Sequence, residues 1–329
     1  MITAERTRDF VDLSGDVEGL VELARRLKRQ PPAHRPLAGK SVGLVFMNPS
    51  LRTQTSFEVA AAMLGAHPVT LQVGGGGTWK LEAREGAVMD GDCAEHAKEA
   101  VAVLSRYVDL LGVRCFPGGK SWEEDRRDPM LSAFVKYATV PVVSLESALG
   151  HPCQALADLM TIREKRPRAK KFLLTWAPHV KALPTAVPNS AAEMAARAGL
   201  DLVVARPEGY DLDAGVMESV RAAARAAGGS VTVTDDLDAA YDGADVVYAK
   251  AWGSLESYGR PPAPRPEWRV TAEKMARTND AAFMHCLPVR RNVVVDDAVL
   301  DGKWSVVIDQ AENRLHTAKA VLLSLLEKK

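Results

Sequence analysis

The chain has 329 residues, 47% of them hydrophobic, and 42 basic side chains against 42 acidic ones. That length accommodates two domains, and the equal charge counts leave no global basic field for nucleic acid, so any anion affinity must come from local placement of charge. No apolar stretch approaches membrane-spanning length, no basic-then-apolar segment opens the chain, and Cys93, Cys115, Cys153 and Cys286 form no C-x-x-C pair, which together predict a cytoplasmic protein without structural zinc or disulfides.

Apolar runs alternate with helical periodicity along the whole sequence. Strands are predicted at 41–47, 68–73, 110–114 and 140–144, with helices at 53–64, about 95–106 and about 129–137 between them. The second half repeats the rhythm, with strands at 171–176, 201–205, 231–234, 246–250 and 281–284 and helices at 189–198, 214–226 and 271–276. Such alternation predicts an α/β protein of parallel sheets covered by helices on both faces. An amphipathic helix at 155–165 joins the halves, and a final helix at 312–326 carries one apolar stripe, Ala311, Leu315, Ala318, Val321, Leu322 and Leu325. The segments 74–85, 177–188 and 251–268 read as irregular loops. Gly74 to Gly77 lacks the G-x-G-x-x-G spacing of a nucleotide loop and is expected to hinge, and three prolines stiffen 177–188.

The segment from Phe46 to Phe57 is the most informative. Its apolar run breaks at Asn48-Pro49 and restarts as a helix behind Ser50, Leu51, Arg52 and Thr53. A helix start aims free N–H groups and a positive dipole end at whatever sits there, while hydroxyls and a forked guanidinium suit phosphate oxygens. The plain alternative is an N-capped helix with a surface arginine. Two further strings bear on the choice: His151-Pro152-Cys153-Gln154 before a helix, and His285-Cys286-Leu287-Pro288 after an apolar run.

In this order the three motifs resemble the carbamoyltransferase family, which includes the aspartate and ornithine enzymes, over nearly the whole chain. The resemblance implies a carbamoyl-phosphate domain of residues 1–148 plus the helix 311–329, and an acceptor domain of 149–310. It implies that Ser50, the Leu51 N–H, Arg52, Thr53 and Arg114 cradle the phosphate, with Arg314 facing the same pocket. His151 and Gln154 would hold the carbamoyl group, and Cys286 and Leu287 would lie beside the attacking amine. Trp79 would arrive from a neighbouring subunit of a homotrimer, and neither metal nor cofactor is called for. Cys286 could be read as a nucleophile, yet no base is implied near it, and a positioning role through its backbone carbonyl fits the family.

The acceptor is read within that resemblance. The S-M-G signature of ornithine enzymes is missing, and 250–256 offers no obvious anion for a free α-ammonium. The strings 175–179, 248–252 and 285–292 are instead similar to the N-acylornithine branch, whose second domain is knotted. Carried over, Glu146, His179, Lys250 and Arg290 would contact the acylated ornithine. The plain alternatives are a helix cap for Glu146, a solvated pair for Arg290 and Arg291, and exposed helix charge for Arg314. Ala94 stands where the acetyl enzymes carry a glutamate, and Val294 where they carry a lysine. Five residues separate Glu146 from His151, the succinyl pattern. These features favour N-succinylornithine, with N-acetylornithine as the alternative. A catalytically silent paralogue and a nicotinamide dehydrogenase are the rivals of other classes; the second lacks its glycine fingerprint.

Overall fold

Continuous apolar runs become strands buried on both faces, the pattern that parallel sheets require. The computed structural model describes residues 8–74 and 79–327, and the chain divides into two compact units. The first comprises the described residues up to Gly118, Glu123–Cys153 and those from Arg314 onward; the second comprises Gly119–Trp122 and Gln154–Asn313. The predicted Gly74 hinge continues into 75–78, which lie outside the described residues.

In the first unit four parallel strands stand in the order His67–Gln72, Ser41–Phe46, Leu110–Arg114, Val142–Glu146. The second unit has five, also parallel, in the order Ala282–Met284, Val246–Lys250, Lys171–Trp176, Asp201–Ala205, Val231–Thr234. This is the α/β architecture that the alternating rhythm predicts.

Several elements depart from the sequence expectation for local reasons. A helix at Val17–Arg29 was not anticipated, although its signals are in the sequence: Asp16 caps it by accepting the Gly19 N–H at 2.8 Å, and Val17, Val21, Ala24 and Leu27 form its buried face. The strand expected at 140–144 runs instead over Val142–Glu146, started by Asp9 accepting the Val142 N–H at 2.8 Å and by a bridge from Phe10 to Val143. The loop at 177–188 ends early, because Pro188 lies in the first turn of Ala186–Arg197, where a missing N–H costs nothing. Part of the loop at 74–85 is also ordered, as Leu81–Glu82 pairs with Glu95–His96.

Two helices are more deeply buried than amphipathic patterning suggests. Pro152–Lys165 is buried at every position through Ile162, and Val307–Leu326, five residues longer at its start than predicted, buries Asn313, Arg314, Thr317 and Lys319 along with Ala318, Val321 and Leu322 of its apolar stripe, whose Ala311, Leu315 and Leu325 are half-buried. Polar side chains tolerate this because each finds a partner. Asn313 donates to Thr161 at 2.9 Å, and the Lys319 ammonium, its pKa lowered by burial, donates to the Leu27 carbonyl at 3.3 Å.

Candidate active site

The chemistry-bearing residues of the first unit converge at the carboxyl ends of its strands. Ser41–Phe46 delivers the chain to Asn48, whose Oδ1 accepts the Phe116 N–H at 2.7 Å and so ties this turn to the one after Leu110–Arg114. Ser50, extended at φ −153°, caps Leu51–Leu64 by accepting the Thr53 N–H at 3.3 Å. The helix closes at Gly65, whose φ of 90° suits glycine and where a Cβ would come within 2.5 Å of Arg35 Cβ. Thr53 is fully buried, and its Oγ1 accepts from Arg314 Nη2 at 2.6 Å.

A register shift brings a second guanidinium into place. Val113 pairs with Ser144 and Arg114 with Glu146, so Leu145 is an extra residue that sets Arg114 and Glu146 side by side. Arg114 donates to Glu146 Oε2, and its guanidinium lies 4.5 Å above the Phe116 ring. Glu146 Oε2 is also 3.6 Å from His151 Nε2. That contact is no ion pair at neutral pH, because burial and then the charges of Arg314 and Arg114 hold the His151 pKa well below 6.5. Arg314 is 5% exposed, and its Nη2 lies 3.5 Å from His151 Nε2. Its own pKa is lowered, first by burial and also by the neighbouring charges of Arg114 and Arg52. The charges of Arg114 and Arg52 thus both bear on buried Arg314, beside a buried threonine and a neutral histidine. Such a cluster suits an anion, which relieves the repulsion.

Glu146 caps no helix, and Arg314 lies in the interior rather than on an exposed face. Cys153, between His151 and Gln154, turns its thiol to the Ser144 carbonyl, and burial pushes its pKa up to about 12; burial likewise raises Cys115. Trp79 is 57% exposed and donates from Nε1 to Glu95 at 2.7 Å, while exposed Ala94 donates its N–H to the Lys80 carbonyl at 3.0 Å.

The second unit gathers a different set. Arg290 Nε donates to His179 Nε2 at 3.1 Å, while His179 Nδ1 lies 3.1 Å from the Lys181 carbonyl and accepts the Lys181 N–H at 3.0 Å. Burial lowers the His179 pKa, and the charges of Arg290 and Lys250 act in the same direction. Lys250 ends its strand half-buried, donating to the Ala251 carbonyl at 3.0 Å. The chain beyond it is fixed by two buried indoles: Trp176 donates to the Trp252 carbonyl at 2.9 Å, and Trp252 to the Tyr210 carbonyl at 2.8 Å. Arg290 and Arg291 are both exposed and differently engaged, Arg291 with Asp297 at 2.8 Å and Asp301 at 2.6 Å and Arg290 with His179.

Cys286 is half-exposed and in no disulfide. Leu287, at φ 56°, adopts a conformation costly for a branched side chain and is held there by its N–H donating to His285 Nδ1 at 2.9 Å. Gln154, in the first turn of its helix, donates to Asp158 at 2.7 Å. Among the described residues no cluster of His, Cys, Asp and Glu could hold a metal ion, and no helix is long and apolar enough to cross a membrane.

Two family models match the chain. Residues 8–164 match the aspartate/ornithine carbamoyltransferase carbamoyl-P binding domain, and residues 184–325 match the Asp/Orn binding domain. An N-acetylornithine carbamoyltransferase of Xanthomonas campestris pv. campestris is 45% identical over 94% of each chain. An N-succinylornithine carbamoyltransferase of Bacteroides thetaiotaomicron is 42% identical over 88% of each. Among solved structures, a glutamate-to-alanine variant of N-acetyl-L-ornithine transcarbamylase, complexed with carbamyl phosphate and N-succinyl-L-norvaline, superposes with TM-score 0.90 at 44% identity, covering 97% of this chain and all of that one.

Proposed function

The chain belongs to the aspartate/ornithine carbamoyltransferase family and is a carbamoyltransferase, and from that premise we propose that it carries the carbamoyl group of carbamoyl phosphate to the δ-amine of N2-succinyl-L-ornithine, giving N-succinylcitrulline and phosphate for arginine biosynthesis. The observation that supports the donor side most is buried Arg314, bonded to Thr53 and next to a neutral His151, under the charges of Arg114 and Arg52. Ser50, the Leu51 N–H, Arg52, Thr53, Arg114 and Arg314 take the phosphate oxygens, where positive charge gains strength as the leaving group becomes a full anion. His151 donates to the carbamoyl oxygen, and Gln154 receives the carbamoyl amide. The uncharged δ-nitrogen, offered its hydrogen-bond acceptors by the Cys286 and Leu287 carbonyls, attacks the carbonyl carbon. The new C–N bond forms, the C–O bond to phosphate breaks with its electron pair leaving on phosphate, and phosphate takes the amine proton. Glu146, beside Arg114 and His151, meets the acceptor at its reacting nitrogen.

On the acceptor side, Arg290 and Lys250 flank a neutral His179, a positive setting for a substrate with two carboxylates. The exposed Ala94 adds no charge that would repel the second of them. The related enzyme whose glutamate was replaced by alanine was solved with an N-succinyl ligand, in keeping with the removal of one negative charge admitting that group. N-Acetylornithine is the second reading, favoured by the 45% against 42% identities. A homotrimer in which the Trp79 loop completes a neighbour's site, and a knotted second unit, belong to the same proposal; the exposure of Trp79 and of Leu51, at 78%, supports the first. The test is turnover with carbamoyl phosphate and ornithine, N-acetylornithine or N-succinylornithine side by side. Fastest citrulline formation with the succinyl compound is expected. A faster acetyl reaction would reassign the acceptor, and no reaction with any of them would leave the silent paralogue.

A further inference from the structure

One turn beyond Gln154 lies Asp158, a carboxylate with 1% exposure. Its Oδ1 accepts two amide hydrogens, from Gln154 Nε2 at 2.7 Å and from Gln310 Nε2 at 2.7 Å. Gln154 and Gln310 are themselves 1% exposed. The oxygen of Gln310 accepts the His285 N–H at 3.0 Å, and His285 Nδ1 accepts the Leu287 N–H at 2.9 Å. One buried carboxyl group is therefore joined both to the glutamine of the H-P-C-Q segment and, through a single amide, to the backbone of the H-C-L-P segment.

Hydrogen-bond chemistry gives this chain a direction. An ionised carboxylate only accepts, whereas a side-chain amide has one donating end and one accepting end. Asp158 thus selects the amide rotamer of Gln154 in which Nε2 faces inward and Oε1 faces the other way. Gln310 is fixed from both ends, with Nε2 on the carboxylate and Oε1 on the His285 N–H. Bonds to an ionised acceptor are roughly twice as strong as neutral ones, and these lie out of water, so the reversed rotamers are strongly disfavoured.

We propose that Asp158 is a positioning residue for carbamoyl transfer: it keeps Gln154 Oε1 turned to receive the NH2 of the carbamoyl group and, through Gln310, holds the His285–Leu287 backbone whose carbonyls receive the attacking amine. This rests on the carbamoyl-transfer reading above. A reversed Gln154 would set its own NH2 against the substrate's. A shifted 285–287 backbone would misplace the acceptor nitrogen, and misplacement by about 1 Å can cost roughly a hundredfold in rate. Phosphate binding uses other residues and is untouched.

The test compares wild type, Asp158→Ala and Asp158→Asn by steady-state kinetics, by calorimetric titration with inorganic phosphate and by thermal melting. Asp158→Ala is expected to lower kcat at least tenfold, with phosphate affinity within about twofold of wild type. Asp158→Asn, which keeps a neutral acceptor oxygen, is expected to recover part of that loss yet remain at least threefold below wild type. A purely structural role would lower the melting temperature and phosphate affinity together while sparing kcat in the folded fraction, and that result would overturn the proposal. Should the alanine variant not fold, the asparagine variant carries the test, and wild-type kcat in it overturns the proposal. A wild-type protein inactive with every acceptor sinks the carbamoyl-transfer reading and Asp158's role with it. An active wild type beside equally active variants sinks Asp158's role alone.

Discussion

Two guanidinium groups of the first unit's cluster are buried, whereas neither cation of the second unit's cluster is. Arg114 and Arg314 are 7% and 5% exposed, fixed by Glu146 and Thr53, with Arg52 half-buried in the same cluster, whereas Arg290 is exposed and Lys250 half-buried, with hydrogen bonds to His179 and the Ala251 carbonyl. Burying a guanidinium is costly unless its partners are fixed, and the cost is justified where one invariant anion must be gripped and its charge stabilised as a bond breaks. Looser cations at the strand ends and loops of the other unit suit an acceptor whose acyl group varies from relative to relative. Rigidity thus falls where the donor's phosphate would sit, and adaptability where specificity would be decided.

Substitutions can break that contrast. Arg52→Ala is expected to have the largest effect, lowering kcat/KM by roughly a thousandfold or more and abolishing calorimetric phosphate binding. His151→Asn should follow with a loss of roughly a hundredfold in kcat and little change in KM, the pattern of a donor that acts in the transition state. Arg290→Ala should raise KM for N-succinylornithine about tenfold and leave phosphate affinity alone; a loss as large as that of Arg52→Ala would erase the distinction between the two clusters. Ala94→Glu is expected to move the ratio of succinyl to acetyl kcat/KM several-fold toward acetyl by adding a like charge, and an unmoved ratio would show that selectivity is set elsewhere.

The smallest effect is on stability. Burial keeps His151 neutral below pH 6.5, where the unfolded chain takes up the proton that the native one refuses. Stability is unaffected by this group above about pH 6.5 and declines as pH falls below it, by up to about 1.4 kcal/mol per pH unit until the depressed native pKa is reached. Urea denaturation of His151→Asn across pH 5 to 7 should show a shallower acid decline than wild type.

Much of this was legible in the sequence because the relevant signals are local. Apolar runs bounded by polar residues fixed the limits of Leu110–Arg114, Lys171–Trp176, Asp201–Ala205, Val231–Thr234 and Val246–Lys250, and Ser50 announced the helix behind it. What stayed hidden depends on distant partners. Nothing local tells that Val142–Glu146 starts two residues late under the hold of Asp9, or that the last helix begins at Val307. Asp158 and Gln310 look like ordinary helix residues until their amide bonds are seen across 152 positions of sequence. Local pattern alone reads Arg314 as surface charge and only the family resemblance turns it inward, since its partner Thr53 lies 261 residues away.

The four thiols differ in a way that makes the protein convenient to label. Cys115 and Cys153 are shielded and held protonated, while Cys93 and Cys286 are half-exposed. A maleimide at neutral pH should therefore modify the latter pair and spare the former. With Cys93 replaced by serine, a fluorophore would settle at Cys286 alone, giving an optical reporter next to the proposed acceptor site while the H-P-C-Q segment keeps its native sulfur.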